Sequence, residues 1–407
     1  MSTVLIFDCD VLAYRASAVI ETRTIKVTHI KSGRVKTFGN RTEFKEYLSN
    51  NSIEYVKEDY EIEDIQEAGD PSVAYSIIKN QMKSIQEKTW ADDSVFMISG
   101  ENNFRETLPL PTRYKSNRDD TIRPIHLKKV RQYLKNAFGA EEINGCETDD
   151  AVVWTGYRLL KQGHTPIIIT NDKDAGAYSD LCLYDYTKDD PQIITVPDFG
   201  YLTIEKKKVK GLGFIWYCFQ LLNGDAVDCF KPSELSGKEY GQMSAYNALV
   251  NCKTHKEAIE AVIKQYKEWY PVDFTYEAWD GSTVHSNWQH MLNLYHGCCR
   301  MKSTPDDPLI AYDFFKQYDV NLDDYVDKPH SKTSKGSAMY YEIKDEDKDL
   351  WTKTEAICRQ YGMITEESDG QFTAGFCSAT YHVQMEPSTK PTVFTFYYEN
   401  SELIGVE

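Results

Sequence analysis

Carboxylates fall in four separated groups along this chain: Asp8 with Asp10, then Glu147, Asp149 and Asp150, then Asp172 with Asp174, and last Asp225 with Asp228. Like charges gathered in one place repel unless a cation lies between them, and hard cations such as Mg²⁺ or Mn²⁺ take oxygen ligands. If the groups share a location, their chemistry is that of a metal site. Each group taken singly has a plainer reading. Acidic residues at a helix start are favoured by the macrodipole alone, and Asp172-Lys173-Asp174 by itself is a polar loop. The elements that carry the groups decide between these readings.

Val4-Leu5-Ile6-Phe7 is a short apolar run, typical of a buried strand, and it ends in Asp8-Cys9-Asp10, with a helix expected from Val11 to Ala18. Pro166-Ile167-Ile168-Ile169-Thr170 is a second such run and delivers Asp172 and Asp174 just past its end. Between these, Asp149 and Asp150 open an apolar-periodic helix that reaches Leu160, with Gly163 in the position that follows a helix end. Val95–Ile98 is a further strand ending at Ser99-Gly100-Glu101, and Leu181–Tyr186 another. In open α/β sheets the C-terminal edge of the strands is where ligands bind. Three of the four acidic groups are therefore expected at one sheet edge of an α/β fold, a central mostly parallel sheet flanked by helices. The fourth, Asp225 and Asp228, follows the helix-like run Phe214–Leu222.

The 407 residues, 41 % of them apolar, are enough for two or three domains with ordinary cores. No stretch approaches membrane-spanning length. The opening Met1-Ser2-Thr3-Val4 lacks the basic flank of a signal peptide, and the ten cysteines are scattered without a C-x-x-C pair. Reduced thiols and a cytoplasmic location are expected (the host cytoplasm if the protein is viral). A net charge of −17 argues against a generic nucleic-acid binder, but it is unevenly spread. Residues 304–407 carry −11 of it, whereas 113–131 carry +5. That basic stretch, entered through Phe104, Pro109 and Pro111, reads as a basic helix running to about Phe138. It offers cations for phosphates and rings for stacking.

The remainder is less marked. Residues 24–38 alternate around Lys31-Ser32-Gly33-Arg34 as a hairpin would; 40–70 are polar and acidic with little periodicity. Helical spacing is expected over 72–90, 243–251, 255–270, 284–301 and 345–361, and strands over 371–383 and 392–398. Thr304-Pro305-Asp306-Asp307-Pro308 marks an expected domain boundary.

The order of these motifs resembles the 5′-nuclease superfamily, most of all the bacteriophage 5′→3′ exonucleases with flap-endonuclease and ribonuclease H activities, over about residues 3–300. Phe7-Asp8-Cys9-Asp10 with Tyr14 is similar to the first catalytic aspartate and its helix, Glu147-Thr148-Asp149-Asp150 to the E-x-D-D motif, Asn171-Asp172-Lys173-Asp174 to D-x-D, and Gly224-Asp225-Ala226-Val227-Asp228 to G-D-x-x-D. Tyr114-Lys115-Ser116-Asn117-Arg118 resembles the start of the helical arch over the active site. Two departures stand out. Gly100 occupies the place of a usual aspartate, which Glu101 would have to replace, and the glycine-rich duplex clamp after Asp228 is reduced to Gly237 and Gly241.

The resemblance implies a PIN-like 5′-nuclease core over 1–205, with its arch near 104–138, a helical duplex-binding region over 206–303, and an acidic C-terminal module over 304–407. It implies two Mg²⁺ or Mn²⁺ ions held by Asp8, Asp10, Glu147, Asp149, Asp150, Asp172, Asp174, Asp225 and Asp228. Lys115 and Arg118 would be catalytic cations, and Tyr14, Arg105, Tyr114, Lys115, Arg118, Lys128 and Lys129 nucleic-acid contacts. The implied partners are DNA ends and flaps, RNA–DNA hybrids, and a replication protein docking on the C-terminal module, with no membrane. Two other readings compete. Asp8-x-Asp10 after a strand also resembles a haloacid-dehalogenase-like phosphatase, though Val11 stands where that family has glycine and Glu147–Asp150 would be unexplained. A non-catalytic binder of DNA branches would keep Lys115 and Arg118 and tolerate loss of the carboxylates.

Overall fold

The computed structural model describes residues 2–119 and 121–325, together with four strands within 363–406. β1 (Thr3–Asp8) is the buried run expected, and Asp8 caps α1 (Cys9–Val19) by accepting from the Asp10 N–H at 3.0 Å. The chain then leaves the core. β2 (Glu21–His29), β3 (Arg34–Phe38), α2 (Arg41–Asn50) and β4 (Tyr60–Ala68) form a separate three-stranded antiparallel sheet in the order β3-β2-β4. Its small core is Ile25, Val27, Phe38, Phe44 and Leu48. The hairpin at 24–38 is as expected, but residues 40–70 hold a helix and a strand. β4 is a half-exposed edge strand, so its apolar alternation is too weak to show in the sequence.

The main sheet resumes after α3 (Pro71–Thr89), which has Asp70 as N-cap and proline at its first position, where a missing N–H costs nothing. β5 (Asp93–Ser99), α4 (Leu127–Phe138), β6 (Glu141–Ile143), α5 (Thr148–Lys161), β7 (Thr165–Ile169), β8 (Cys182–Tyr184) and β9 (Ile193–Thr195) follow. The order is β6-β5-β1-β7-β8-β9, parallel except for β9. The fold is thus α/β, with a mostly parallel sheet between α1, α3 and α4 on one face and α5 on the other. The basic helix is shorter than expected. Between Pro109 and Leu127 the described chain has only a 3₁₀ turn at Ser116–Arg118, so no helical arch is formed there. Pro109, Pro111 and Pro124 each bias the residue before them away from the helical region.

β10 (Tyr201–Glu205) and β11 (Lys208–Leu212) form a hairpin whose two turn residues, Lys206 and Lys207, have φ of 48° and 66°. Such a turn normally calls for glycine or asparagine, which is why the sequence does not announce it. A helical layer follows: α6 (Phe214–Asn223), α7 (Gln242–Leu249), α8 (His255–Trp269), the hairpin β12 (Phe274–Glu277) and β13 (Thr283–Ser286), then α9 (Trp288–Cys299) and α10 (Ala311–Lys316). α6 is buried along nearly all its length, and Phe314, Phe315, Val320 and Leu322 pack into the same core. The expected break at residue 304 is therefore displaced. Residues 1–326 form one compact unit and 327–407 another. In the second unit β14 (Met363–Asp369), β15 (Phe376–Gln384), β16 (Thr392–Glu399) and β17 (Glu402–Val406) make an antiparallel sheet in sequence order. The helix expected over 345–361 lies outside the described residues. Among the described residues no helix is long and apolar enough to cross a membrane, and the eight described cysteines are free.

Candidate active site

β1, β5, β6 and β7 all run parallel, so their C-terminal ends open on the same edge. Asp8 ends β1, Ser99 ends β5, Glu147 opens α5 after β6, and Asp172 follows β7. From the other side the turn after α6 brings Asp225 and Asp228. Together with Lys115, Arg118, Lys173 and Tyr114 they line one cavity of about 510 Å³. All four acidic groups thus meet in one place, and Asp150 is the one predicted carboxylate that does not line it.

The local devices are simple. Glu147 and Asp150 form a capping box on α5, each side chain accepting from the other's end of the first turn. Asp172 accepts from the Asp174 N–H at 2.8 Å, and its own N–H donates to Thr170 Oγ1 at 2.9 Å, so the loop after β7 is a stack of side-chain turns. Gly224, with φ 72°, ends α6; a Cβ there would lie 2.4 Å from the Phe230 carbonyl oxygen. Asp225 then pairs backbone to backbone with Phe230.

The carboxylates divide into two classes. One class is neutralised by the chain's own cations. Glu147 is paired with Lys115 and accepts from Tyr114 Oη at 3.1 Å and Asn103 Nδ2 at 3.2 Å. Asp225 accepts from Lys173 Nζ at 2.6 Å. Asp228 accepts from Arg118 Nη2 at 3.0 Å and Tyr114 Oη at 2.9 Å, with Lys115 Nζ 3.6 Å away. Asp10 accepts from the Ser99 N–H at 2.8 Å and lies 3.5 Å from Arg131. The other class is Asp8, Asp149, Asp172 and Asp174, none of which has a cationic side chain within ion-pair distance among the described residues. Gln220 donates to Asp174, but it is neutral.

Protonation follows this division. Burial, and then the neighbouring Asp10, push the Asp8 carboxyl up to about 7, with Asp172 and Glu147 adding to the rise. Burial followed by Asp8 and Asp172 pushes Asp149 up. Burial and Asp172 do the same to Asp174. Burial also pushes Glu147 up, but Lys115 and Arg105 outweigh it and hold that carboxyl below its ordinary value. Burial lowers the Lys115 ammonium, and Glu147 with Asp228 more than restores it.

Several expectations need correction. Arg105, expected among the nucleic-acid contacts, and Asp150, expected among the metal ligands, are instead buried against each other. They form a bidentate ion pair at 2.6 and 3.0 Å, with Arg105 2 % exposed and Asp150 0 %. The remaining guanidinium N–H groups go to the carbonyls of Gly297 and Arg300, and Asp150 also accepts the N–H groups of Glu147 and Lys302. Four of the five guanidinium N–H groups are thus used, and Nη1 also lies 3.6 Å from Glu147, so Arg105 reaches the cavity wall only as a buried neighbour of that carboxylate. Tyr114 offers no stacking face, because its ring is 3 % exposed and lies against Phe230; its hydroxyl orients Glu147 and Asp228 instead. Glu101 does not replace the missing aspartate: it is exposed and outside the cavity. No side chain at all fits at position 100, where a Cβ would lie 2.2 Å from Asn144 Oδ1. Ser99 takes that wall, hydrogen-bonded to Thr148 Oγ1 at 2.7 Å. Tyr14, Lys128 and Lys129 are exposed and do not line the cavity. The contributions of Lys173, Arg131, Gln220, Cys298 and Cys299 were missed. Only Lys173, between two aspartates, carried a signal in the sequence.

The donor set suits a hard cation: four carboxylates with no cation of their own, facing one cavity. Among the described residues no three potential ligands are gathered tightly enough to be a ready-made metal shell. Asp8, Asp149, Asp172 and Asp174 would have to draw together on binding, and their mutual repulsion is what a cation would relieve.

No family model matches the chain, and no curated protein does. Among solved structures it is similar to a T5 protein co-crystallised with metal ions, at 14 % identity and TM-score 0.36, over 66 % of this chain and 85 % of that one. A bacteriophage T5 flap endonuclease in a pseudo-enzyme–product complex with DNA and metal ions aligns at 13 % identity and TM-score 0.35, over 64 % of this chain and 88 % of that one. The T5 5′-exonuclease with zinc bound aligns at 15 % and 0.35 over the same shares. At those scores the likeness by itself assigns no chemistry to this chain.

Proposed function

We propose that the chain is a metal-dependent nuclease that hydrolyses phosphodiester bonds in DNA, of the 5′→3′ exonuclease and flap-endonuclease kind, acting on duplex ends and flaps and on RNA–DNA hybrids in phage DNA replication. The observation that carries this reading is the division of charge in the cavity. Asp8, Asp149, Asp172 and Asp174 are left without cations, while Lys115, Arg118 and Lys173 line the same cavity, each already holding an acidic partner. The motif order that resembles the 5′-nucleases supports the same reading.

Those four carboxylates would hold Mg²⁺ or Mn²⁺, which when bound supplies Lewis acidity and a water nucleophile at neutral pH. A second ion would fall to Asp225 and Asp228, which would first have to release Lys173, Lys115 and Arg118. The chain's own residues do the rest. Arriving phosphate competes with Glu147 and Asp228 for Lys115 and Arg118, and these cations then face the charge that grows on the phosphate in the transition state. Tyr114 keeps Glu147 and Asp228 in place by sharing its one hydroxyl proton between them. The Ser99, Thr148 and Arg131 contacts fix Asp10, which orients the start of α1 and with it Asp8.

The test is incubation of the pure protein with end-labelled duplex, flap and hybrid substrates, with and without Mg²⁺. Metal-dependent shortening from the 5′ end or release of the flap is expected. Absence of cleavage of all three in Mg²⁺, and again in Mn²⁺, would sink the reading.

A further inference from the structure

The inserted module, residues 21–68, plays no part in the site just described. We propose that it carries, at its outer end, a binding groove for single-stranded nucleic acid; the strand it would hold is the unpaired one of the substrate, so the inference rests on the nuclease reading.

The groove lies between the outer end of the β2-β3 hairpin and α2, with a volume of about 680 Å³. Its walls are aromatic and cationic and contain no carboxylate. Phe38, Phe44, Tyr47 and Tyr60 supply rings, with His29 beside Tyr60, and Arg34 and Lys36 supply the cationic rim. The module as a whole is not basic; its charge is sorted. From Thr22 to Thr42 it has six Lys or Arg and no acidic residue, and the acids are concentrated beyond, on α2, β4 and the link between them. Lys31 and Arg41 are tied to Asp59 and Asp64. Arg34 and Lys36, which rim the groove, have no acidic partner among the described residues. Lys36 instead lies with its ammonium 3.7 Å from the centre of the Tyr47 ring and 5.2 Å from that of Phe38. Tyr47 is about one-third exposed and Val35 more than half. The Tyr47 ring has the buried Phe38 ring on one side, centre 5.3 Å away, and the unpaired ammonium over it; a partly exposed ring covered in this way is a stacking face in waiting. A base takes the ring, and the displaced ammonium takes the phosphate. Bases stack on aromatic side chains whatever their identity, and Lys and Arg track the backbone between them. A duplex, whose bases are already stacked, has nothing to place there.

Position agrees. α3 and α4 each precede a strand parallel to β1, so their N-terminal ends stand at the sheet edge that carries the carboxylates. The module is fastened at those ends. His126 Nε2 is 3.0 Å from the Gly69 carbonyl oxygen, the Ile125 N–H donates to Glu21 at 2.7 Å, and Gln66 Nε2 donates to the Arg123 carbonyl at 3.0 Å. The braced segment 123–126 is the continuation of the one that brings Lys115 and Arg118 into the cavity. A strand leaving the cavity past Arg118 therefore meets the fastened end of the module and reaches the groove at its outer end, eight strand residues or roughly 26 Å further on.

The test is fluorescence anisotropy of a labelled oligothymidylate with the full-length protein in EDTA, where no cleavage occurs. Two variants are compared with the parent: Arg34→Glu with Lys36→Glu, and Tyr47→Ala. Each should lose about tenfold or more in affinity, and the charge reversal should also flatten the salt dependence by about 0.7 per cation removed in the logarithmic plot. Arg34 and Lys36 are exposed, so the fold is retained, which thermal melting checks. In Mg²⁺, cleavage should fall on substrates with an unpaired tail and hold on blunt duplex. Unchanged oligothymidylate affinity in both variants overturns the groove and leaves it to an acidic peptide. Equal loss of cleavage on blunt duplex overturns it as well. If binding falls as expected but the parent cleaves nothing, the groove stands and the nuclease reading fails.

Discussion

Arg105 and Asp150 meet through two parallel hydrogen bonds, 2.6 and 3.0 Å, in a place where neither is reached by solvent. The pair ties the start of α5 to the last turn of α9 and the segment that follows it, because Arg105 also donates to Gly297 and Arg300 and Asp150 accepts from Lys302. It thereby holds the two walls of the cavity at their separation. Removing one partner leaves the other charge buried alone, which costs about 3–5 kcal/mol. Arg105→Ala and Asp150→Asn are each expected to lower the melting temperature by many degrees. A melt within a degree or two of the parent would show that the pair does not carry the joint.

Asp172→Asn keeps the shape of a site carboxylate and removes its charge. Cleavage is expected to fall by about a hundredfold or more, with DNA binding kept or improved, since less negative charge then faces the phosphates. Lys115→Ala and Arg118→Ala should act differently, lowering single-turnover rates more than affinity, because their contact with the phosphate strengthens as charge develops. Near-normal cleavage by a pure Asp172→Asn protein would remove the metal assignment, and a loss of affinity alone in the lysine and arginine variants would reduce them to steering charges.

The raised Asp8 carboxyl has a sign that can be checked. In the folded chain its value is about 7, against 3.8 for the free group, so between these values the folded state holds a proton that the unfolded state has released. Stability of the metal-free protein must then fall as pH rises through that window. From this group the fall is a few kcal/mol at most, since each tenfold change in proton affinity is worth about 1.4 kcal/mol. Asp149 and Asp174 are displaced in the same direction. Melting in EDTA is expected to be lower at about pH 8 than at about pH 5, and added Mg²⁺ should recover more at the higher pH, where the carboxylates are free to bind it. A metal effect that is equal at both pH values would contradict this.

Where the first unit ends also has a measurable consequence. Phe314 and Phe315 are in the same core as α6 and α9, and Tyr325 donates to Glu260 at 2.7 Å. A chain ended after residue 326 is expected to stay soluble, melt cooperatively and cleave. One ended at residue 304 removes two core phenylalanines, at roughly 3–5 kcal/mol each, and is expected to be insoluble or inactive. Equal behaviour of the two would return the boundary to the proline-bounded stretch.

Where each acidic group begins, and what kind of element carries it, was legible in local sequence. A β-branched run such as Ile167-Ile168-Ile169 is a buried strand in almost any context, and a helix start with Asp149 and Asp150 is a local matter of capping and dipole, so the placement of Asp8, Glu147 and Asp172 on one sheet edge could be read from neighbouring residues alone. The module at 21–68 was half legible: its glycine-bearing hairpin showed, and its edge strand, exposed on both sides of the alternation, did not. Which carboxylates are open is a property of the folded chain alone. Asp150 is closed by an arginine 45 positions away, Asp225 by a lysine 52 positions away, and Asp228 by a tyrosine 114 positions away. Coulomb attraction and hydrogen bonding depend on separation in space, and the fold sets that separation with no trace in local spacing. The same motif of adjacent acids therefore yields one buried strut, Asp150, and one carboxylate facing the cavity, Asp149.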